Sequence, residues 1–165
     1  MRRFLRSAAA ICVLVLVVST GISANDGLSM EIVGDQVVAT KAFVVRIRNN
    51  GSKRQTFCLS LCGAIIDTDT TRSAPAFAVQ MRVGKKWNDR PWGCGAGNQF
   101  ASRVIQAGEI QDFRIKLAEP GTYRLRLAYK DVSADLVSSH CEAIEDTKSL
   151  KHATSEEFEV MAKPQ

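Results

Sequence analysis

Tyr123-Arg-Leu-Arg-Leu-Ala-Tyr-Lys130 sets an apolar or aromatic side chain at every second position, with Arg124 and Arg126 between them and Lys130 following. Successive side chains of a strand point to opposite faces, so this stretch reads as a β-strand with one buried and one solvated face. The same period recurs on both sides of it. Phe113, Ile115 and Leu117 alternate with Arg114 and Lys116, and Phe77, Val79, Met81 and Val83 alternate with Ala78, Gln80 and Arg82. Phe43, Val45 and Ile47 alternate with Val44, Arg46 and Arg48, and near the end Phe158 and Val160 alternate with Glu157 and Glu159. Turn formers separate these runs at Asn50-Gly51, Ala107-Gly108-Glu109 and Pro120-Gly121. With Leu28 to Val33 and a cysteine-bearing run from Phe57 to Cys62, the expectation is an all-β, two-sheet antiparallel sandwich of about seven to nine strands. Only Ser138 to Lys151 leaves room for a short helix or an irregular loop.

A length of 165 residues fits one domain and not two independent cores. Hydrophobic residues at 45% and charged residues at 24% exclude both a disordered chain and a multispan membrane protein. The net charge of +5 would ordinarily raise the question of an anionic partner. Three of those cations, however, are Arg2, Arg3 and Arg6, ahead of an apolar run from Ala8 to Val18 and a small, polar stretch from Ser19 to Ala24. That is the layout of a secretory signal peptide, and the apolar run falls short of the roughly 20 residues a spanning helix needs. The expected organisation is a signal peptide over 1–24 and a single β domain over 25–165, secreted or periplasmic, with no stable membrane span after cleavage. The mature domain then carries 19 Lys and Arg against 17 Asp and Glu, a net charge of +2 that gives no reason to expect nucleic acid as a partner.

Signal removal leaves Cys58, Cys62, Cys94 and Cys141, an even set in a chain bound for an oxidising compartment, where two disulfides are expected. Four strand residues separate the Cα atoms of Cys58 and Cys62 by about 13 Å, against the roughly 4.4 to 6.8 Å that a disulfide requires, so these two do not bond to each other. Structural zinc sites draw close pairs from both halves of the site, whereas Cys94 and Cys141 are isolated, which favours disulfides over metal. No metal or other cofactor is expected.

A resemblance accompanies this pattern. Phe43-Val-Val-Arg-Ile-Arg-Asn-Asn-Gly-Ser52, Gly84-Lys-Lys-Trp87, Gln106-Ala-Gly-Glu109, Glu119-Pro-Gly-Thr-Tyr-Arg-Leu-Arg126 and Ser155-Glu-Glu-Phe-Glu-Val160 together resemble the strand order of small bacterial immunoglobulin-like domains of exported proteins. Tyr123 resembles the tyrosine-corner residue at the start of strand F, and Leu125 stands where antibody-type domains carry their second cysteine. In that fold the loops between strands B and C and between F and G lie at one end, which implies Cys58 with Cys141 and Cys62 with Cys94.

Chemistry-bearing residues are few. His140 and His152 both fall in the polar segment before the last strand, and Ser139 beside His140 lacks an orienting third group. Trp92-Gly-Cys-Gly-Ala-Gly97 is glycine-rich but precedes a strand-like run, not the helix a phosphate loop needs, and Asp67-Thr-Asp69-Thr lacks the later residues of a calcium loop. Two binding candidates remain. Arg46, Arg48, Arg114 and Lys116 fall in one sheet of the sandwich and share an outer face, which could meet an anionic cell-envelope ligand. Trp87, Arg90 and Trp92 are residue types enriched at protein-binding hot spots, although Trp87 could equally close the edge of the core. The expected function is therefore non-catalytic binding, to a protein or an anionic envelope ligand. The pattern is also similar to inhibitor domains of the bacillar proteinase-inhibitor type, which present a loop from a rigid β scaffold. A third alternative is a thiol-dependent enzyme using His140.

Overall fold

The structure, a computed structural model, describes residues 27–60, 74–90, 100–132 and 149–164. Twelve strands form among them, in two sheets. The small sheet is antiparallel, with β3 (Ala42–Asn49) between β1 (Leu28–Val33) and β9 (Ile110–Lys116). The large sheet is built on β10 (Gly121–Asp131), which contains the alternating stretch Tyr123 to Lys130. Along one edge β10 pairs with β12 (Phe158–Met161) and then β11 (Lys151–Thr154); along the other it pairs with β6 (Ala78–Val83) and then β4 (Gln55–Ser60). Beyond these, β8 (Phe100–Ile105) and the short β5 (Ala74–Pro75) pair with β4, β7 (Lys86–Arg90) pairs with β6, and β2 (Val37–Val38) runs parallel to β12.

With β1, β3 and β9 as strands A, B and E, and β4, β10 and β11/β12 as C, F and G, the order is that of an immunoglobulin-like sandwich. Twelve strands exceed the seven to nine expected because long strands are interrupted. Thr154 faces Arg126 and Phe158 faces Tyr123, so four steps on one strand span three on β10, and the extra residue is accommodated as a bulge. Ser155 repairs the ladder there: its Oγ accepts from the Leu125 N–H (3.0 Å) while its own N–H donates to the Leu125 carbonyl (2.9 Å). β11 begins at Lys151, the last residue of the segment expected to be a short helix or irregular loop, because β10 is long enough to recruit it as a partner.

The predicted faces are the observed ones except at Val83, which is exposed where β6 ends at the turn into β7. Val45, Ile47 and Ile115 of the small sheet meet Phe57, Val79, Leu125, Leu127 and Val160 of the large one, all fully buried. The tyrosine corner forms as the resemblance implies: the Tyr123 hydroxyl donates to the Glu119 carbonyl (3.1 Å), and Phe158 stacks on the Tyr123 ring at 6.2 Å. Asn49, also fully buried, ends β3 and holds the turn into β4; its Nδ2 donates to the Lys53 and Ile105 carbonyls and its Oδ1 accepts from the Gly51 N–H. Gly27 runs so close to the Tyr129 hydroxyl that a Cβ there would overlap it, which brings the start of β1 against the large sheet.

Leu125→Ala should cost about 2 to 5 kcal/mol in denaturant unfolding, whereas Arg126→Ala, one residue along on the solvated face, should stay within about 0.5 kcal/mol. Tyr123→Phe, which removes only the corner hydrogen bond, should cost about 0.5 to 1.5 kcal/mol in the same measurement.

Candidate binding surfaces

Parity on β3 and β9 turns Arg46, Arg48, Arg114 and Lys116 to the outer face of the small sheet, as expected. Their environments differ. Arg46 is flanked in register by Glu31 on β1 and Asp112 on β9, and it donates to Asp112 through two bonds of 2.9 Å. Arg48 instead faces Ser29 and Ile110, Arg114 faces Val44, and Lys116 faces Ala42, so no carboxylate stands opposite these three. Among the described residues, a directly opposing carboxylate is found only at Arg46 of these four.

Trp87 does not close the core edge. It lies opposite Arg82 on the outer face of the large sheet, with the Arg124 guanidinium 4.4 Å from its ring centroid. Arg124 Nε donates to Gln80 Oε1 (2.7 Å), and Gln80 Nε2 donates to Asp89 Oδ1 (2.7 Å). The cation is thereby fixed over the indole by a two-step polar chain, a geometry in which cation–π attraction is effective. Arg82, the adjoining cation, reaches over β10 to Glu157 (2.9 Å). Sequence reasoning missed Gln80, Asp89 and Arg124 as members of this cluster, since only their common polar parity is visible before the strands are paired.

Arg90 turns the other way, to the open end of the sandwich. Its Nη2 donates to Glu119 Oε2 (2.8 Å) and approaches Met81 Sδ, while its buried Nε has no hydrogen-bond partner among the described residues. A pocket of about 280 Å³ lies there, walled by Val79, Leu117 and Tyr123. Arg90 and Trp87 thus occupy opposite faces of the same strand and do not form one hot spot.

A larger groove, about 860 Å³, opens where β1 and β12 diverge. Met30, Ile32, Val37 and Phe158 supply its apolar lining, and Glu31, Asp35, Glu156, Glu157 and Glu159 supply its charge. Among the described residues no Lys or Arg lines it.

Of the other candidates, Trp92, Cys62, Cys94, Cys141, Ser139, His140, the 92–97 glycine loop and Asp67 with Asp69 lie outside the described residues. Cys58 sits on β4 between the buried Phe57 and Leu59, and its three candidate disulfide partners lie outside the described residues. His152 is exposed on β11. Among the described residues no His, Cys, Asp and Glu cluster could hold a metal, and no helix is long and apolar enough to cross a membrane.

Two carboxylates are held below their ordinary range. The Glu109 carboxylate accepts from the Gln106 N–H and the Gln111 side chain, both at 2.7 Å, and Asp112 accepts the paired bonds of Arg46. Burial lifts the Tyr123 hydroxyl above its usual value, with the Glu119 charge adding to the rise.

No protein-family model matches the chain, and no curated protein matches it. Among solved structures, it is similar to an ASH / PapD-like domain of human CEP192, PapD-like domain 7, at 8% identity over 94% of this chain and 100% of that one, with a TM-score of 0.38. It is also similar to AvmM, described as catalysing macrocyclization in alchivemycin A biosynthesis, at 10% identity over 86% of this chain and 92% of that one, with a TM-score of 0.28.

Carboxylates with depressed folded pKa values stabilise the fold fully above their unfolded values, near pH 4, and the contribution disappears as pH falls through the folded ones. Glu109→Gln should therefore flatten the acid side of the stability curve while leaving its slope near neutral pH unchanged, as read by urea unfolding across a pH series.

Proposed function

We propose that the chain is an exported, non-catalytic interaction domain that presents the outer face of its small sheet to an anionic cell-envelope ligand. The observation that carries this reading is the placement of Arg48, Arg114 and Lys116 on one rigid face, each opposite an uncharged residue. Cations without facing carboxylates keep their field directed outward, where it attracts a polyanion at a range set by salt. The ladder on both sides of β3 holds the backbone that carries them in fixed relation, so the cost of ordering on binding is confined to the side chains.

Export by the 1–24 segment, with Cys58 bonded to Cys141 and Cys62 to Cys94, belongs to the same proposal. Cys58 projects from the strand next to the end of β10, after which the chain leads to Cys141. Non-reducing peptide mapping should recover a peptide joining Cys58 to Cys141, and recovery of one joining Cys58 to Cys94 would show that pairing to be wrong.

Heparin, as a model polyanion, should bind the wild type with strong salt dependence. The triple variant Arg48→Ser, Arg114→Ser, Lys116→Ser should bind about tenfold more weakly or worse, with a shallower salt dependence, in titration calorimetry. Unchanged affinity would rule out this face as the site.

A further inference from the structure

The groove between β1 and β12 combines two features that ordinary surface grooves lack together: an unpaired strand edge and a single sign of charge. The Asn50 N–H donates to the Gly27 carbonyl (2.9 Å), which makes this the first bonded pair of the β1 to β3 ladder. In an antiparallel ladder bonded and non-bonded pairs alternate, so Ser29, Glu31 and Val33 bond to β3 while Met30 and Ile32 turn their N–H and C=O groups away from it. Among the described residues no strand pairs with that side of β1. The edge consequently offers two donors and two acceptors to an added strand.

Side-chain parity then specifies what such a strand would carry. Met30, buried, and Ile32, half-buried, face the interior and continue into Phe158 on the far wall, so alternate residues of an added strand would meet apolar surface. The intervening residues would meet Glu31 on β1 and, across the groove, Glu156 and Glu159. Glu157 is taken by Arg82, and Glu31 shares the field of Arg46, but Asp35, Glu156 and Glu159 have no cation partner among the described residues. The carboxylates are distributed along the groove and do not converge as a metal site. A second copy of the chain would bring the same five carboxylates against these, and like charges in apposition disfavour it.

We propose that this groove accepts an extended partner segment of alternating apolar and basic residues, which adds as a strand to the Met30 and Ile32 edge of β1. Main-chain bonds supply affinity and the alternating side chains supply selectivity, as in other strand-addition complexes. The site deepens the reading of the chain as an interaction domain but stands apart from its cationic face, since Arg114 and Lys116 sit on β9 at the opposite edge of the small sheet. Peptide binding and polyanion binding can therefore fail separately.

The probe is a synthetic peptide of about ten residues alternating Val and Lys, with a Val and Glu counterpart, titrated by fluorescence anisotropy. Ile32→Pro removes the outward N–H, which no bond to β3 uses, and proline is tolerated on a strand edge in that orientation; Ile32→Ala loses the same packing but keeps the donor. The Val/Lys peptide should bind the wild type and Ile32→Ala, and bind at least about tenfold more weakly to Ile32→Pro. The doubly exposed variant Glu156→Lys, Glu159→Lys should show a similar loss, and it serves as the test should Ile32→Pro melt below the working temperature. Equal affinity in Ile32→Pro and Ile32→Ala, or in the charge-reversed variant and the wild type, would overturn the proposal. So would equal binding of the Val/Glu peptide, no binding of the Val/Lys peptide, or a wild-type dimer in sedimentation that Ile32→Pro dissolves.

Discussion

The pairing of β10 along both its edges is the constraint from which the large sheet follows. Eleven residues are long enough to hold two partners in succession on each side: β12 and β11 on one, β6 and β4 on the other. Because side chains alternate, a one-residue slip in any of these ladders would send Tyr123, Leu125, Leu127 and Tyr129 to solvent and bring Arg124 and Arg126 into the core. The register is thus enforced by burial, and the corner bond from Tyr123 to Glu119 anchors the strand at the end where it enters the sheet. The Ser155 bulge shows the same priority. An extra residue is absorbed locally, with a side-chain hydroxyl standing in as acceptor, so that Ala153 and Val160 on either side both stay buried.

Charge on the surface is sorted by the sheets. The small sheet presents cations outward, the β1 to β12 groove presents carboxylates, and the outer face of the large sheet holds a mixed cluster around Trp87. Exposed ion pairs such as Arg46 with Asp112 contribute little to stability, since both groups remain well hydrated. Their consequence is directional: Asp112 absorbs the field of Arg46, so the outward potential of that face comes from Arg48, Arg114 and Lys116. In the Trp87 cluster the polar chain from Asp89 through Gln80 to Arg124 restricts the guanidinium, and the result is an ordered surface feature built from residues of three strands.

Much of the fold was legible from the chain. Period-two alternation is a local property, and it identified β3, β6, β9, β10 and β12 with their buried faces; the turn residues at Asn50-Gly51, Gly108 and Pro120-Gly121 separated them. The candidate sites were legible only in part. The shared face of Arg46, Arg48, Arg114 and Lys116 follows from parity once their strands are placed in one sheet. Trp87 and Arg90 were grouped by residue type and proximity in sequence, yet an odd separation of three on a strand sets them on opposite faces, and the structure puts one beneath Arg124 and the other beside Glu119.

What the sequence determined by itself, then, is the longer strands and the side of each that is buried, because both are consequences of side-chain chemistry within a few residues. The tertiary structure decided which strands are neighbours. That choice depends on contacts between residues far apart in the chain, so it alone could bring Gln80 to Arg124, interrupt the last strand at Ser155, and leave the outward edge of β1 without a paired strand among the described residues, above a row of carboxylates.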